Sequence, residues 1–380
     1  MVTQSVLLMY AVGALLGLVS GFVMHRSDYC MAGMFRDLFM FRNSFRLRAL
    51  ALQILLTMIA FEAVRLCKLL PLYPFPILGA PSLTNIIGGF LFGVGMVLAG
   101  GCVVGTLYKM GAGSLLSASA FVGLLLGSGA YAEIHPWWAS VTKKTTFWGS
   151  YITLPQLTGI SPTVFVLLIS VATLPLFFRW RVRNNWEIES QVRGYMQPWK
   201  AAVVLTAVSL FSYLLIGMPM GITTTYAKMA AMFETLLMPE HVHNLAFFQA
   251  ESLHALYPAS GTLMTGGAGP DFDSIWVIQF PLIVGIILGS TLSAKRLDEL
   301  KIYRRLPAKQ FLITLTGGTL LGLASRMVPG CNVWHLMGGI PILALQSLLF
   351  LAGLLPGAWA GSRLMPRLLL LGQTTRERHK

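Results

Sequence analysis

The sequence predicts an all-α polytopic membrane protein with about nine transmembrane helices, short re-entrant helices and an inverted internal repeat. Three observations carry that expectation. Hydrophobic residues make up 55% of the 380-residue chain and charged residues only 11%, where a soluble domain carries roughly 25% charged residues. Nine apolar runs lie at about 5–24, 49–67, 84–101, 114–132, 162–179, 199–217, 274–293, 309–326 and 342–362, close to the ~20 residues a helix needs to cross the hydrocarbon core. They are apolar all round, which does not suit helices at the surface of a soluble fold. The third observation is the distribution of charge. The net charge is +14, and 22 of the 28 Lys and Arg fall in segments 25–48, 102–113, 179–200, 294–309 and 363–380. Those segments share one side if the N-terminus is outside, as the positive-inside rule requires. The basic charge therefore sets a topology, N-terminus outside and C-terminus cytoplasmic, and does not mark a nucleic-acid partner.

In chain order, the first run lacks a small-x-small cleavage site before the next charge and reads as a retained span. The stretch 28-DYCMAGMFRDLFMF-41 is too short to cross and too apolar for a solvated loop, so it is expected to be re-entrant or interfacial. Two spans follow, the second breaking at Gly101-Cys102, then a fourth. Residues 133–198 hold a connecting fifth span. From residue 199 the order recurs. The segment 31-MAGMFRDL-38 matches 229-MAAMFETL-236, and Gly88-Gly89, Gly93, Gly101 and Cys102 match Gly317-Gly318, Gly322, Gly330 and Cys331 at one constant offset. The chain thus reads as a single membrane domain, 1–380, with repeat halves 5–132 and 199–362 and a basic cytoplasmic tail, 363–380. An odd number of spans separates the halves, so they point in opposite directions, an arrangement that recurs in small-solute transporters with the site near the midplane. Residues 226–237 repeat the short helix, and 238–273 form an external excursion with helical pieces. His241, His243 and His254 lack the Cys or carboxylate framework of a zinc site, and no metal is expected.

There are four cysteines: Cys30, Cys67, Cys102 and Cys331. None forms a C-x-x-C pair, which disfavours a metal cluster. Cys67 has neither a glycine setting nor a repeat partner and reads as a small apolar filler. Cys102 and Cys331 each follow glycine where a span breaks, and glycine permits a sharp turn and close approach. The freed backbone N–H groups are tolerated at membrane depth only where they line a cavity or find partners. Such ends suit an anion, and a thiol beside them offers a weak donor and acceptor. Close helix packing by small residues explains one Gly-Cys but not two at related positions. Lys228 takes the repeat position of Cys30, and Arg326 precedes Cys331 by five residues. Acidic residues are nearly absent from the spans, Glu62 being the clearest exception. A cation pore would want acidic rings; the solute expected here is an anion or a neutral polarisable species.

The elements 29-YCMAGMFRDLF-39, 99-AGGCVVGTLYKMGAG-113 and 330-GCNVWHLMGGIP-341 resemble the three cysteine signatures of the YeeE/YedE family of sulfur-transport membrane proteins, and the resemblance runs from about residue 5 to 362. It implies uptake of thiosulfate or a related sulfur compound across the bacterial inner membrane, with no catalysis and no cofactor. Cys30, Cys102 and Cys331 become a relay of S–H···S contacts. Gly101, Gly330, Asn332, His335 and Lys228 are the further pathway candidates. Many relatives work beside a small soluble sulfurtransferase-like protein, which implies such a cytoplasmic partner. The third signature departs from the thiosulfate pattern: Gly-Cys-Asn with a downstream Gly-Ile-Pro is more like the YedE branch, associated with selenium handling. A selenium-compound transporter is thus the first alternative. A membrane thiol or persulfide redox enzyme is another; it needs two thiols within reach and usually a quinone or haem site, and no His pair at helical spacing occurs in the spans. A structural subunit would leave the glycine-cysteine sites idle.

Overall fold

Backbone polar groups in an apolar run have no water to serve them and must be satisfied within a helix. The computed structural model accordingly consists almost wholly of helices. It describes residues 2–370 except 71, 76, 150, 184–185, 191, 193 and 304–305; the last ten residues of the expected tail lie outside the described residues. The first half contains α1 (Val2–Ser27), α2 (Met31–Phe41), α3 (Phe45–Leu66), α4 (Leu83–Leu98), α5 (Val103–Gly111) and α6 (Leu115–Lys144). The connecting part holds α7 (Leu154–Thr158) and α8 (Pro162–Val182). The second half contains α9 (Pro198–Ile216), α10 (Thr223–Leu237), α11 (Pro239–Asn244), α12 (Ala246–Gln249), a hairpin of β1 (Glu251–Leu256) and β2 (Leu263–Gly267), α13 (Ser274–Arg296), α14 (Ala308–Met327), an irregular helix over 332–342 and α15 (Leu345–Leu370).

Eight stretches among the described residues are long and apolar enough to cross a membrane. The ninth expected span falls on α14, a 20-residue helix whose threonines and flanking Lys309 and Arg326 dilute its apolar character. It packs between α4 and α6. The short α2 and α10 occupy the stretches expected to be re-entrant. The antiparallel hairpin in the excursion at 238–273 was not anticipated. Its turn, 257-YPASGT-262, contains Pro258 and a left-handed Gly261, and its strands are only six and five residues long, too brief for periodicity to betray them.

Packing runs across the halves: α1 lies on α13 and α3 on α9, while α4 lies on α15 and α14 on α6. Where lipid tails are as apolar as leucine, close approach through small residues drives such contacts. At the α1–α13 crossing a Cβ added to Gly21 would sit 2.0 Å from the carbonyl oxygen of Ile286, so the two backbones touch. The outer flank of α8, with Val171 70% exposed, is left for lipid.

Two polar ties hold the excursion to the bundle. Lys228 on α10 is fully buried, and its Nζ donates to the carbonyls of Gly269 and Asp271, both at 2.8 Å, and meets the Asp273 carboxylate at 2.6 Å. His241 on α11 bridges Glu133 of α6 at 2.7 Å and Glu234 of α10 at 3.3 Å. The hydrogen bond to the Glu133 carboxylate holds the His241 pKa above its ordinary value.

Two outcomes are expected. Replacing Gly21 with Leu forces α1 off α13, and overpacking of this kind costs about 1–3 kcal/mol; the melting temperature of the purified protein in detergent should fall. Because the fold raises the His241 pKa, its contact contributes fully below the ordinary imidazole pKa and is lost as pH rises through the raised one. Hydrogen-exchange protection over 238–250, taken relative to the intrinsic amide rate at each pH, should therefore fall with rising pH in the native protein and lose that step in His241→Gln.

Candidate functional site

Each of three cysteines stands immediately before a short helix. Cys30 is the N-cap of α2 and Cys102 the N-cap of α5, both with extended backbone, and Cys331 precedes the irregular helix at 332. The first amides of a helix have no partner within it. The Cys102 thiol meets the amide three residues on, its Sγ accepting from the Gly105 N–H at 3.3 Å; Cys30 makes no side-chain cap bond. All three thiols are free and buried.

The sequence break that creates these ends is specific. At the close of α4 the chain turns through Gly100, at φ +69, a conformation that suits glycine. The carbonyl this exposes is taken by the ammonium of Lys109 at 2.7 Å. That is the role of the lysine in an otherwise apolar signature. In the second half Gly330 lies at φ +132, with the Trp334 ring 2.6 Å from where its Cβ would be.

Cys30 and Cys102 come together. A Cβ on Gly105 would lie 2.9 Å from the Cys30 sulfur and 3.2 Å from the Cys102 sulfur, and the two thiols interact directly. Asn332 is fully buried, donates to the Met31 sulfur at 2.9 Å and reaches Cys102. Tyr226, also fully buried, is within electrostatic range of both Cys102 and Cys331. Its hydroxyl and the Asn332 Oδ1 have no protein partner, and buried polar atoms without partners are rare.

Two cavities flank this cluster on opposite faces. One, of about 710 Å³, opens on the face carrying Arg26, Arg46, Lys109 and Lys301, called the basic face below. Its floor is Tyr108, whose hydroxyl donates to Asp28 at 3.1 Å, while Arg46 pairs with the other Asp28 oxygen at 2.7 Å. The other, of about 190 Å³, lies on the far face and is bordered by Gly330, Trp334, Thr223, Gln279 and Arg326. None of the three cysteines borders either cavity among the described residues.

The other candidates are placed as follows. Gly101 is buried beside Cys102, its Cβ position 3.2 Å from the Thr106 amide. His335 is fully buried, stacked on Phe350 with its Nδ1 2.9 Å from Ser347 and its Nε2 without a protein partner. Lys228 is spent on the excursion and borders neither cavity. Cys67 is exposed at the end of α3, outside the cluster. Reasoning from sequence did not single out Asp28, Arg46, Tyr108 or Tyr226. Tyr108 was visible in the second signature, but its partner lies 80 residues away. The three metal-ligand side chains that gather among the described residues, Glu133, Glu234 and His241, lie at the excursion and not with the thiols.

Apolar spans around buried free thiols, with a cavity on either face, are the plan of a membrane transport protein. The sulphur transport family model matches residues 26–360, and the chain belongs to that family. It is 29% identical over 367 residues to the thiosulfate transporter TsuA of Spirochaeta thermophila, covering 91% of this chain and 96% of that one. The thiosulfate transporter TsuA of Escherichia coli is 25% identical, over 93% of this chain and 94% of its own. A probable transporter YedE of the same bacterium is 26% identical over 169 residues, 44% of this chain and 40% of that one. These relatives are named as transporters, and this chain is a transporter rather than an enzyme.

Gly105→Ala places a methyl between the Cys30 and Cys102 sulfurs without adding charge or bulk elsewhere. Solute uptake should fall at least about tenfold, equivalent to ~1.4 kcal/mol on the barrier, while membrane yield and melting temperature stay near those of the native protein. Parallel uptake and thermal-shift measurements check this.

Proposed function

We propose that this protein carries thiosulfate, or a closely related sulfur-containing anion, across the bacterial inner membrane. The amino terminus lies outside and the basic face is cytoplasmic, in line with the positive-inside rule. Two halves of opposite orientation bring the broken helices together near the midplane. The anion enters from the far face and passes Cys331, then Cys102 and Cys30, by weak thiol contacts before leaving past Tyr108.

The observation that carries this reading is the set of three buried, free thiols, each standing at the start of a helix. Helix starts favour negative charge, and a thiol is a soft partner for the terminal sulfur of thiosulfate. Contacts that are weak and successive allow release, where one tight site would hold the ion. The two TsuA relatives align over more than nine-tenths of the chain, which supports thiosulfate as the cargo. A small cytoplasmic sulfurtransferase-like protein is the acceptor this reading calls for at the basic face. The selenium alternative draws on the Cys331-Asn332 form of the third signature and on the part-length YedE match.

The test is uptake of labelled thiosulfate, sulfite and selenite by cells lacking other routes. Thiosulfate should accumulate, and Cys30→Ala, Cys102→Ala or Cys331→Ala should each reduce accumulation to background with the protein still present in the membrane. Accumulation of selenite but not thiosulfate would transfer the function to selenium. Undiminished accumulation in all three variants would refute the cysteine relay.

A further inference from the structure

The far-face cavity contains a cation that the protein does not balance. Arg326, in the last turn of α14, is only 7% exposed. Its Nη1 donates to the Thr224 hydroxyl at 3.1 Å and its Nη2 to the Thr223 hydroxyl, but its Nε has no protein partner. The titratable groups nearest its charge are Tyr131 and Cys331, and His135, 3.2 Å from the Tyr131 hydroxyl, also borders the cavity. Among the described residues no carboxylate borders the cavity. A buried charge is ordinarily paired. Across the same space stands Trp334, 5% exposed, whose indole N–H is also without a partner. The ring is fixed there, packed 3.1 Å from the Cβ position of Gly221. Arg326 and Trp334, each with a buried donor that lacks a partner, thus border a cavity of about 190 Å³, several times the ~30 Å³ share of one water and large enough for a small tetrahedral anion.

We infer that this cavity is an oxyanion receptor in which the Arg326 guanidinium and the Trp334 indole N–H hold the oxygens of a tetrahedral anion before any thiol meets its sulfur. The inference rests on the transport reading and adds a division of labour to it. The receptor reads charge and oxygen geometry, and the cysteines beyond it read the soft sulfur. Sulfate has the oxygens without the soft sulfur, so it occupies the receptor and goes no further.

The measurement is isothermal titration of the purified protein with sodium thiosulfate and with sodium sulfate, alongside thiosulfate uptake in the presence of sulfate. Both anions should bind, with affinities within about tenfold of each other, and sulfate should raise the apparent KM for thiosulfate without lowering the maximal rate. Arg326→Gln should weaken both anions by about tenfold or more, the scale of one lost charge-assisted contact. Arg326→Lys should recover part of that affinity, which a merely structural arginine would not do for the anions alone. Cys331→Ala should leave sulfate binding unchanged. Should Arg326→Gln fail to fold, Trp334→Phe keeps the ring and removes the donor, and it should weaken both anions several-fold. Unaltered affinities in the folded arginine variant, or in Trp334→Phe where the former does not fold, overturn the receptor; so does thiosulfate binding that sulfate fails to displace. Native protein that binds both anions yet accumulates neither would keep the receptor and sink the transport reading instead.

Discussion

A helix that stops inside a bilayer leaves amides that no water can satisfy, and on the proposed transport reading this constraint organises the rest of the molecule. Each unsatisfied group costs several kcal/mol in hydrocarbon, so a chain that breaks its helices there must supply partners at the break. This protein does so with sulfur. Cys30, Cys102 and Cys331 each sit where serine, threonine or aspartate more commonly caps a helix, and the Cys102 sulfur accepts from the amide three residues on. A thiol is a weak acceptor, so the cap is partial. The residual positive potential of the helix start is left available on the same side as the sulfur. Structure and chemistry are thus set by one choice of residue: a stronger cap would make a better helix end and a poorer place for an anion to meet a thiol.

The weakness of those caps is compensated elsewhere. Lys109 takes the carbonyl exposed at Gly100, and small residues bring the flanking helices into backbone contact, as Gly21 does against Ile286. The broken elements are therefore held by rigid neighbours rather than by their own ends. The polar network at the basic face adds a second restraint. Asp28, itself in the left-handed region at φ 47, joins Tyr108 of α5 to Arg46 of α3 and so fixes the turn that presents Cys30.

What the sequence disclosed, and what it hid, follows from the range of the forces involved. Apolar runs, glycine-cysteine breaks and the lopsided placement of Lys and Arg are local patterns, and the helices and the positions of the three cysteines could be read from them. The partners of Tyr108 and Arg326 lie 80 and about 100 residues away, and no periodicity announces such pairs. Lys228 illustrates a different limit. Its repeat equivalence to Cys30 fixed the position of the residue along its helix, but the direction of its side chain was decided by the carbonyls of Gly269 and Asp271 and by the Asp273 carboxylate, which have no counterpart in the first half. Asn332 was legible because it adjoins a signature cysteine; its reach to Met31 was not.

The two cavities differ in how the cations beside them are partnered. At the basic face Arg46 is paired with Asp28 at 2.7 Å, Lys109 is occupied by a carbonyl, and the half-buried Arg26 donates to the Gly194 carbonyl while its Nε has no partner. At the far face Arg326 has hydroxyls for company and no carboxylate. An anion gains most where a desolvated cation lacks a partner, and gains little where that cation is already paired. On the proposed transport reading, the far-face cavity, bordered by the more deeply buried cation, is the side of capture. Under that proposal direction is set by a handful of charged side chains and not by the helices that display them.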